Sequence, residues 1–395
     1  MSTALLATGA CSDVSAPPEA SPSPSESSSP SVTGSEPTSS GSPGNRVDAS
    51  RDDTHPITSA VRLEGFDTVA ALPGSGHPRG VGVLAVAENG DVLTKSLGGA
   101  EVVSLLPAGS ATGRPIATIE DQDIQAYAGD LTDRYAVWME VAGTELMVDP
   151  WVLRAFDRRT GEVETLAKAP LMEGGGPPPA RPGFTGATLD GDRVFWAQVS
   201  GRPGAELVDV YGCVVSDCRP RVYARGSAFP VAVDGVLYVI AAERFAGAKR
   251  SQTMRVNRVN PRTGRSATLV SVDLEDDQAP NGLAAAAGTV AWVIADADSD
   301  VVHIRPLGGD SEIAVTAGPN GAFGYPIATD RYVAWAEASG TFPIGLGGFL
   351  YDLARGRLFT VGNTAGLYGI NGSGPFVTWQ EKHKSAYITV VARLR

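Results

Sequence analysis

The chain has 395 residues, 43% of them hydrophobic, with 47 glycines, 28 prolines and a net charge of −12 at an isoelectric point near 4.9. That is enough apolar material for a large core, and the acidic balance excludes a nucleic-acid binder, which needs clustered Lys and Arg to neutralise phosphates. No segment carries apolar residues at helical spacing over ten or more positions, so an all-β domain is expected.

Residues 4–10 read ALLATGA and run into Cys11. Small residues before a cysteine resemble the lipobox of bacterial lipoprotein signals, which implies diacylglyceryl attachment at Cys11 and a lipid-anchored, extracytoplasmic protein of the cell membrane. A cleaved secretory signal, giving a secreted protein, is the alternative. No other stretch of about 20 apolar residues occurs, so membrane attachment is expected through this end alone. The following tract of Ser, Pro, Glu and Thr cannot bury apolar surface and reads as a disordered linker. The expected layout is a signal remnant over 1–11, a linker over 12–57 and a folded domain over 58–395.

Within the domain a short polar turn followed by an apolar run ending at an aromatic recurs. The copies are DRYAVWMEV from Asp133, GDRVFWAQV from Gly191, GTVAWVIAD from Gly288, DRYVAWAEA from Asp330 and GPFVTWQEK from Gly374, which carry Trp138, Trp196, Trp292, Trp335 and Trp379. VDGVLYVIA from Val233 puts Tyr238 near the same position, and VGVLAVAEN from Val81 puts Val86 there. Seven copies spaced roughly 42 to 58 residues apart fit the blades of a β-propeller rather than helical repeats. In each blade the aromatic strand comes second, and the third and fourth strands form a hairpin, as in LRAFDRRTGEVETLA from Leu153, RVNRVNPRTGRSATLV from Arg255 and FLYDLARGRLFTV from Phe349. The tryptophans then serve as packing between blades. The last copy lacks a fourth strand, which AVRLEGFDTVAAL from Ala60 is expected to supply, closing seven four-stranded blades into a ring without free ends.

The Asp-Arg and Asp-Gly turns, the aromatic strand ends and the FLYDLARGRLFTV hairpin resemble the TolB-like propeller family over roughly residues 60–395. The resemblance implies a WD-repeat-like propeller and leaves function open, since this architecture hosts binders, scaffolds and enzymes.

The histidines, four in number, lack metal-ligand spacing, and no phosphate-binding glycine loop or nucleophile elbow occurs. Cys213 and Cys218 flank a short turn and are expected to pair as a disulfide. Propeller topology puts the connections from strand two to three, and from strand four to the next blade, on one face. That places Glu120, Asp121 and Asp123, then Glu275, Asp276 and Asp277, then Asp296, Asp298 and Asp300 together. The last set alternates carboxylates as calcium loops do, without the glycine and distal glutamate of an EF-hand; calcium is the one cofactor considered, beside solvated acidic loops and a cationic partner. Trp151 falls outside the repeat register, in a stretch with Met147, Asp149 and Pro150, and is the tryptophan considered for a binding surface. The N-terminal strand is expected to enter from the opposite face.

These features favour a monomeric, non-catalytic propeller that binds an envelope protein or cell-wall glycan, with no nucleic acid. The alternative is a propeller glycan hydrolase or lyase using carboxylates at the channel mouth.

Overall fold

The computed structural model describes residues 53–395, except 75–79, 143–149, 172–185, 203–204, 244, 246–250, 310, 318–320, 340–343, 363–369 and 384–385. The strands form seven sheets. Blade 1 comprises Gly80–Val86, Val92–Leu97, Glu101–Leu106 and Arg114–Ile119; blade 2, Ile124–Leu131, Tyr135–Ala142, Trp151–Asp157 and Val163–Lys168. Blade 3 comprises Thr188–Asp190, Arg193–Arg202, Ala205–Val214 and Asp217–Ala224; blade 4, Ser227–Val233, Val236–Ala241, Gln252–Val259 and Ser266–Leu274. Blade 5 comprises Ala279–Ala286, Thr289–Ala295, Val301–Pro306 and Ile313–Thr316. In blade 6 the first strand is split into Gly321–Phe323 and Ile327–Ala328 and is followed by Tyr332–Ser339, Ile344–Asp352 and Arg357–Val361. Blade 7 has Asn371–Ser373, Phe376–His383 and Ala386–Leu394.

Three N-terminal strands precede blade 1, of which the last completes the ring: β1 (Asp53–Pro56), β2 (Val61–Arg62) and β3 (Phe66–Pro73). β3 is the fourth strand of blade 7 and runs antiparallel to Ala386–Leu394, from Phe66↔Leu394 to Pro73↔Ile388. First strands pack on first strands from each blade to the next, including blade 7 on blade 1. The ring is therefore closed, as the missing seventh hairpin predicts. One expectation is corrected upstream: pairing begins at Asp53, not near residue 58, because β1 lies parallel on the fourth strand of blade 5 and β2 on that of blade 6. Asp53 faces Ile313, at the end of that strand remote from the acidic loops.

Local chemistry explains the hairpins. In three blades the turn between strands three and four is the same five-residue device, with Asp157, Asn260 or Asp352 in front. Its Oδ1 accepts the N–H groups two and three residues on, while Gly161, Gly264 or Gly356 donates its N–H back to the leading carbonyl at 2.8, 2.8 and 2.9 Å. Those glycines have φ of 78°, 71° and 62°, the left-handed region a side chain disfavours.

The core is divided among the joints between blades. Trp138 packs with Leu84, Leu93 and Val103 of blade 1, and Trp196 with Val137, Met139 and Leu153 of blade 2. Trp292 packs with Ile240 and Met254 of blade 4, Trp335 with Val293 and Ile304 of blade 5, and Trp379 with Leu350 and Phe359 of blade 6. Each ring fills the joint with the preceding blade. The joint between blades 3 and 4 is built instead by Phe195, Leu237 and Val259, and that between blades 7 and 1 by Leu72, Phe376 and Val92.

The first repeat needs a second correction. Val86 ends the first strand of blade 1, and the second strand, Val92–Leu97, carries no aromatic. The run VGVLAV mimics an aromatic strand because nearly all of it is buried. The turn at Asn89 and Gly90, where Asn89 Oδ1 accepts the Asp91 N–H at 3.0 Å, then delivers the true second strand.

At the axis the first strands crowd. A Cβ on Gly186 would lie 2.8 Å from Ala128 Cβ of blade 2, and one on Gly282 would lie 2.8 Å from Pro326 of blade 6. Phe229 of blade 4 adopts φ +54° at a bulge, which a bulky side chain takes only under constraint. Its ring sits 6.3 Å from Tyr325 of blade 6 and 6.0 Å from Phe245, so aromatic groups reach past blade 5 near the centre.

Candidate binding face

The acidic residues lie where topology puts them, in connections from strand four to the next blade or from strand two to three. Two of the three sets come together. Gln278 donates to Asp296 Oδ2 at 2.7 Å and accepts the Glu275 N–H at 3.2 Å. This stitches exposed Glu275, Asp276 and Asp277 to the loop holding Asp296, Asp298 and Asp300. Glu120, Asp121 and Asp123 are exposed too, but at the joint of blades 1 and 2, across the ring. There Asp121 Oδ1 caps its own loop by accepting the Asp123 N–H at 3.0 Å.

Inside the blade 5 loop the carboxylates diverge. Asp296 Oδ1 accepts the Asp298 N–H at 3.1 Å, and its pKa is lowered first by the Gln278 hydrogen bond and then by that N–H. Asp300 is buried, 4% exposed, and accepts N–H groups from Asp296 at 3.1 Å and from Phe323 of blade 6 at 2.7 Å. Burial pushes its pKa up despite those bonds. Asp298 is exposed and Asp296 half-buried, and among the described residues no group of three or more His, Cys, Asp or Glu side chains could hold a metal ion.

Trp151 is corrected. It opens the third strand of blade 2 opposite Val141 and is 2% exposed, packed with Tyr135, Leu153 and Trp196. Pairing, invisible in the loop-like composition before it, draws it inside. One edge of it lines a cavity of about 270 Å³ at the loop-face end of blade 2, together with Ile124, Glu140, Ala142, Val152 and Lys168. Glu140 in that wall is paired to Arg154 at 3.0 Å and accepts the Trp138 indole N–H at 3.3 Å. Residues 143–149 and 172–185 lie outside the described residues, as do Cys11 and most of the long loops after Lys168 and Glu243. On the opposite face, a disulfide joins Cys213 and Cys218 across the turn, Cα–Cα 5.0 Å.

A regularity missed in the sequence is a glutamate or glutamine two residues after the tryptophan. Trp138, Trp196 and Trp379 donate their indole N–H to Glu140, Gln198 and Glu381 at 3.3, 3.4 and 3.0 Å. Positions two apart share a strand face, so W-x-[E/Q] was a legible signal, although in blade 6 Trp335 is followed by Glu337 in the same spacing and its indole N–H is buried without a partner. Blade 5 has Ile294 there, and the Trp292 indole N–H is buried without a partner while His303 stacks on the ring at 5.2 Å.

Carboxylates on the inner strands are spent on neighbouring blades. Asp130 accepts the Leu189 N–H at 2.7 Å, and Asp190 accepts that of Gly235 at 3.2 Å. Burial raises the Asp130 pKa against three hydrogen bonds that oppose the rise.

No family model matches the sequence, and no curated protein is significantly similar to it. Among solved structures it is similar to an oligogalacturonate lyase in complex with manganese, at 7% identity and TM-score 0.52 over 85% of this chain and 98% of that one. An oligogalacturonate lyase from Vibrio parahaemolyticus matches at 8% identity and TM-score 0.53, over 84% and 99% of the two chains. The β-propeller domain of the Trilobed protease from Pyrococcus furiosus matches at 8% and 0.51, over 78% and 95%. With these proteins the chain shares the β-propeller fold.

Proposed function

We propose that the protein is a non-catalytic, lipid-anchored, extracytoplasmic propeller whose acidic loop face binds a protein or glycan of the cell envelope. The observation that carries this reading is how the carboxylates are employed. Those on the inner strands are committed to backbone N–H groups of the next blade, and Asp300 does the same at the loop face, whereas Glu275, Asp276, Asp277 and Asp298 stand exposed together on one rim. A glycoside hydrolase uses a pair of carboxyl groups flanking the scissile bond; here the inner-strand carboxylates Asp130 and Asp190 are both engaged with backbone N–H groups of the next blade. A rigid ring presenting an acidic rim suits recognition of a basic surface.

Immobilised full-length chain is tested for capture from envelope extracts beside two triple variants. Asp276→Lys, Asp277→Lys and Asp298→Lys should abolish capture of a saturable partner. Arg159→Glu, Arg262→Glu and Arg355→Glu, on exposed turns of the opposite face, should leave it intact. Equal loss in both variants, or turnover of an oligogalacturonate by the wild type, would contradict the reading.

A further inference from the structure

We propose that residues 53–62 form a releasable clasp, which opens as a unit while β3 keeps the ring shut. The two parts of the N-terminal segment are held very differently. β1 makes four pairs with the edge of blade 5, and β2 makes two with the edge of blade 6, all parallel. Thr54, Pro56, Thr58, Ser59, Val61 and Arg62 are exposed. The clasp leans inward at His55, whose ring lies 5.8 Å from Tyr351, and at Ala60, packed against the joint of blades 5 and 6.

Leu63 begins a different regime. It is 7% exposed among Tyr332, Leu350 and Phe359, and its N–H reaches Thr360 O at 2.9 Å. Beyond Gly65, at φ +83°, β3 runs the full length of its neighbour, with Leu72 1% exposed and Phe66 edge-on to Trp379 at 5.1 Å. Segments with few buried apolar contacts open at low free energy, and well-packed strands open near the global limit. Leu63 is thus a pivot between a weakly held strip and a locked strand. Opening the strip frees about ten residues, roughly 33 Å of chain at ~3.3 Å per residue. It also bares the outer edge of Ile313–Thr316 and, short of the retained bond from Leu63 to Thr360, part of that of Arg357–Val361, whose unpaired backbone groups can accept another strand.

The inference does not depend on what the loop face binds, and amide hydrogen exchange on the full-length chain tests it. Residues 54–62 should exchange together, about 100-fold or more faster than residues 67–72. A full-length chain carrying Thr54→Pro and Val61→Pro should lose protection over 54–62 and keep it over 67–72, with its unfolding midpoint unchanged. Equal protection of clasp and β3 in the wild type, or loss of protection over 67–72 in the variant, would overturn the proposal.

Discussion

Asp91 ties blade 1 to blade 2: Arg158 reaches it at 2.5 Å, and it also accepts the Ala108 N–H at 3.0 Å. Burial opposes its charge, but the Arg158 hydrogen bond, the Ala108 N–H and the Asn89 amide outweigh it and hold the carboxyl below its usual range. A lowered folded pKa contributes stability that is present above the unfolded value and lost as pH falls through the folded one. Asp91→Asn should therefore cost about 2 kcal/mol at neutral pH, and urea titrations should show wild type and variant converging as pH drops below the ordinary carboxylate range. Asp130 and Asp300 act oppositely: burial raises their pKa, so each contributes more as pH falls toward that range. The oxygens of Asp296 and Asp300 already serve amide and backbone donors, so calcium added to the full chain should leave the thermal midpoint unchanged. A concentration-dependent rise would assign a site there.

The same economy of donors explains the repeating strand. A buried indole N–H left alone costs about 1–3 kcal/mol, and three blades meet that need with the residue two positions on. Trp379→Phe discards a hydrogen bond to Glu381, while Trp292→Phe discards a donor that has no partner. The first should be the more destabilising by about 1 kcal/mol, measured by chemical denaturation; the reverse order would remove the role given to W-x-[E/Q]. The strands around Trp138, Trp196 and Trp335 were legible because turn, apolar run and aromatic coincide in them. Blade 1 was not, because a strand buried on both faces looks the same whether it stands first or second. Trp151 failed for a related reason: its burial comes from pairing with Val141, a cross-strand fact that no spacing along the chain carries.

At the scale of the whole ring, closure was readable as an arithmetic of strands, with one short at the C-terminus and one spare before the first repeat. What could not be read was the continuation of the N-terminal segment over blades 5 and 6, since two- and four-residue parallel pairings leave no hydrophobic alternation. Leu72 lies at the closing joint with Val391 and Phe376, so Leu72→Ala should cost about 2–5 kcal/mol and lower the midpoint of the entire ring in a single transition. A separate early transition would mean that blade 7 unfolds on its own. The acidic sets divided by topology alone: the face was predictable, but the bond from Gln278 to Asp296 that merges two of them, and the distance of Glu120 from both, needed the fold.

The binding face itself is tested most directly by an amide-exchange footprint of the full-length chain with and without the envelope partner it captures. Added protection is predicted at 275–278 and 296–300, with none at the turns around Arg159, Arg262 and Arg355. Protection confined to those turns, or the absence of any saturable partner, would contradict the account.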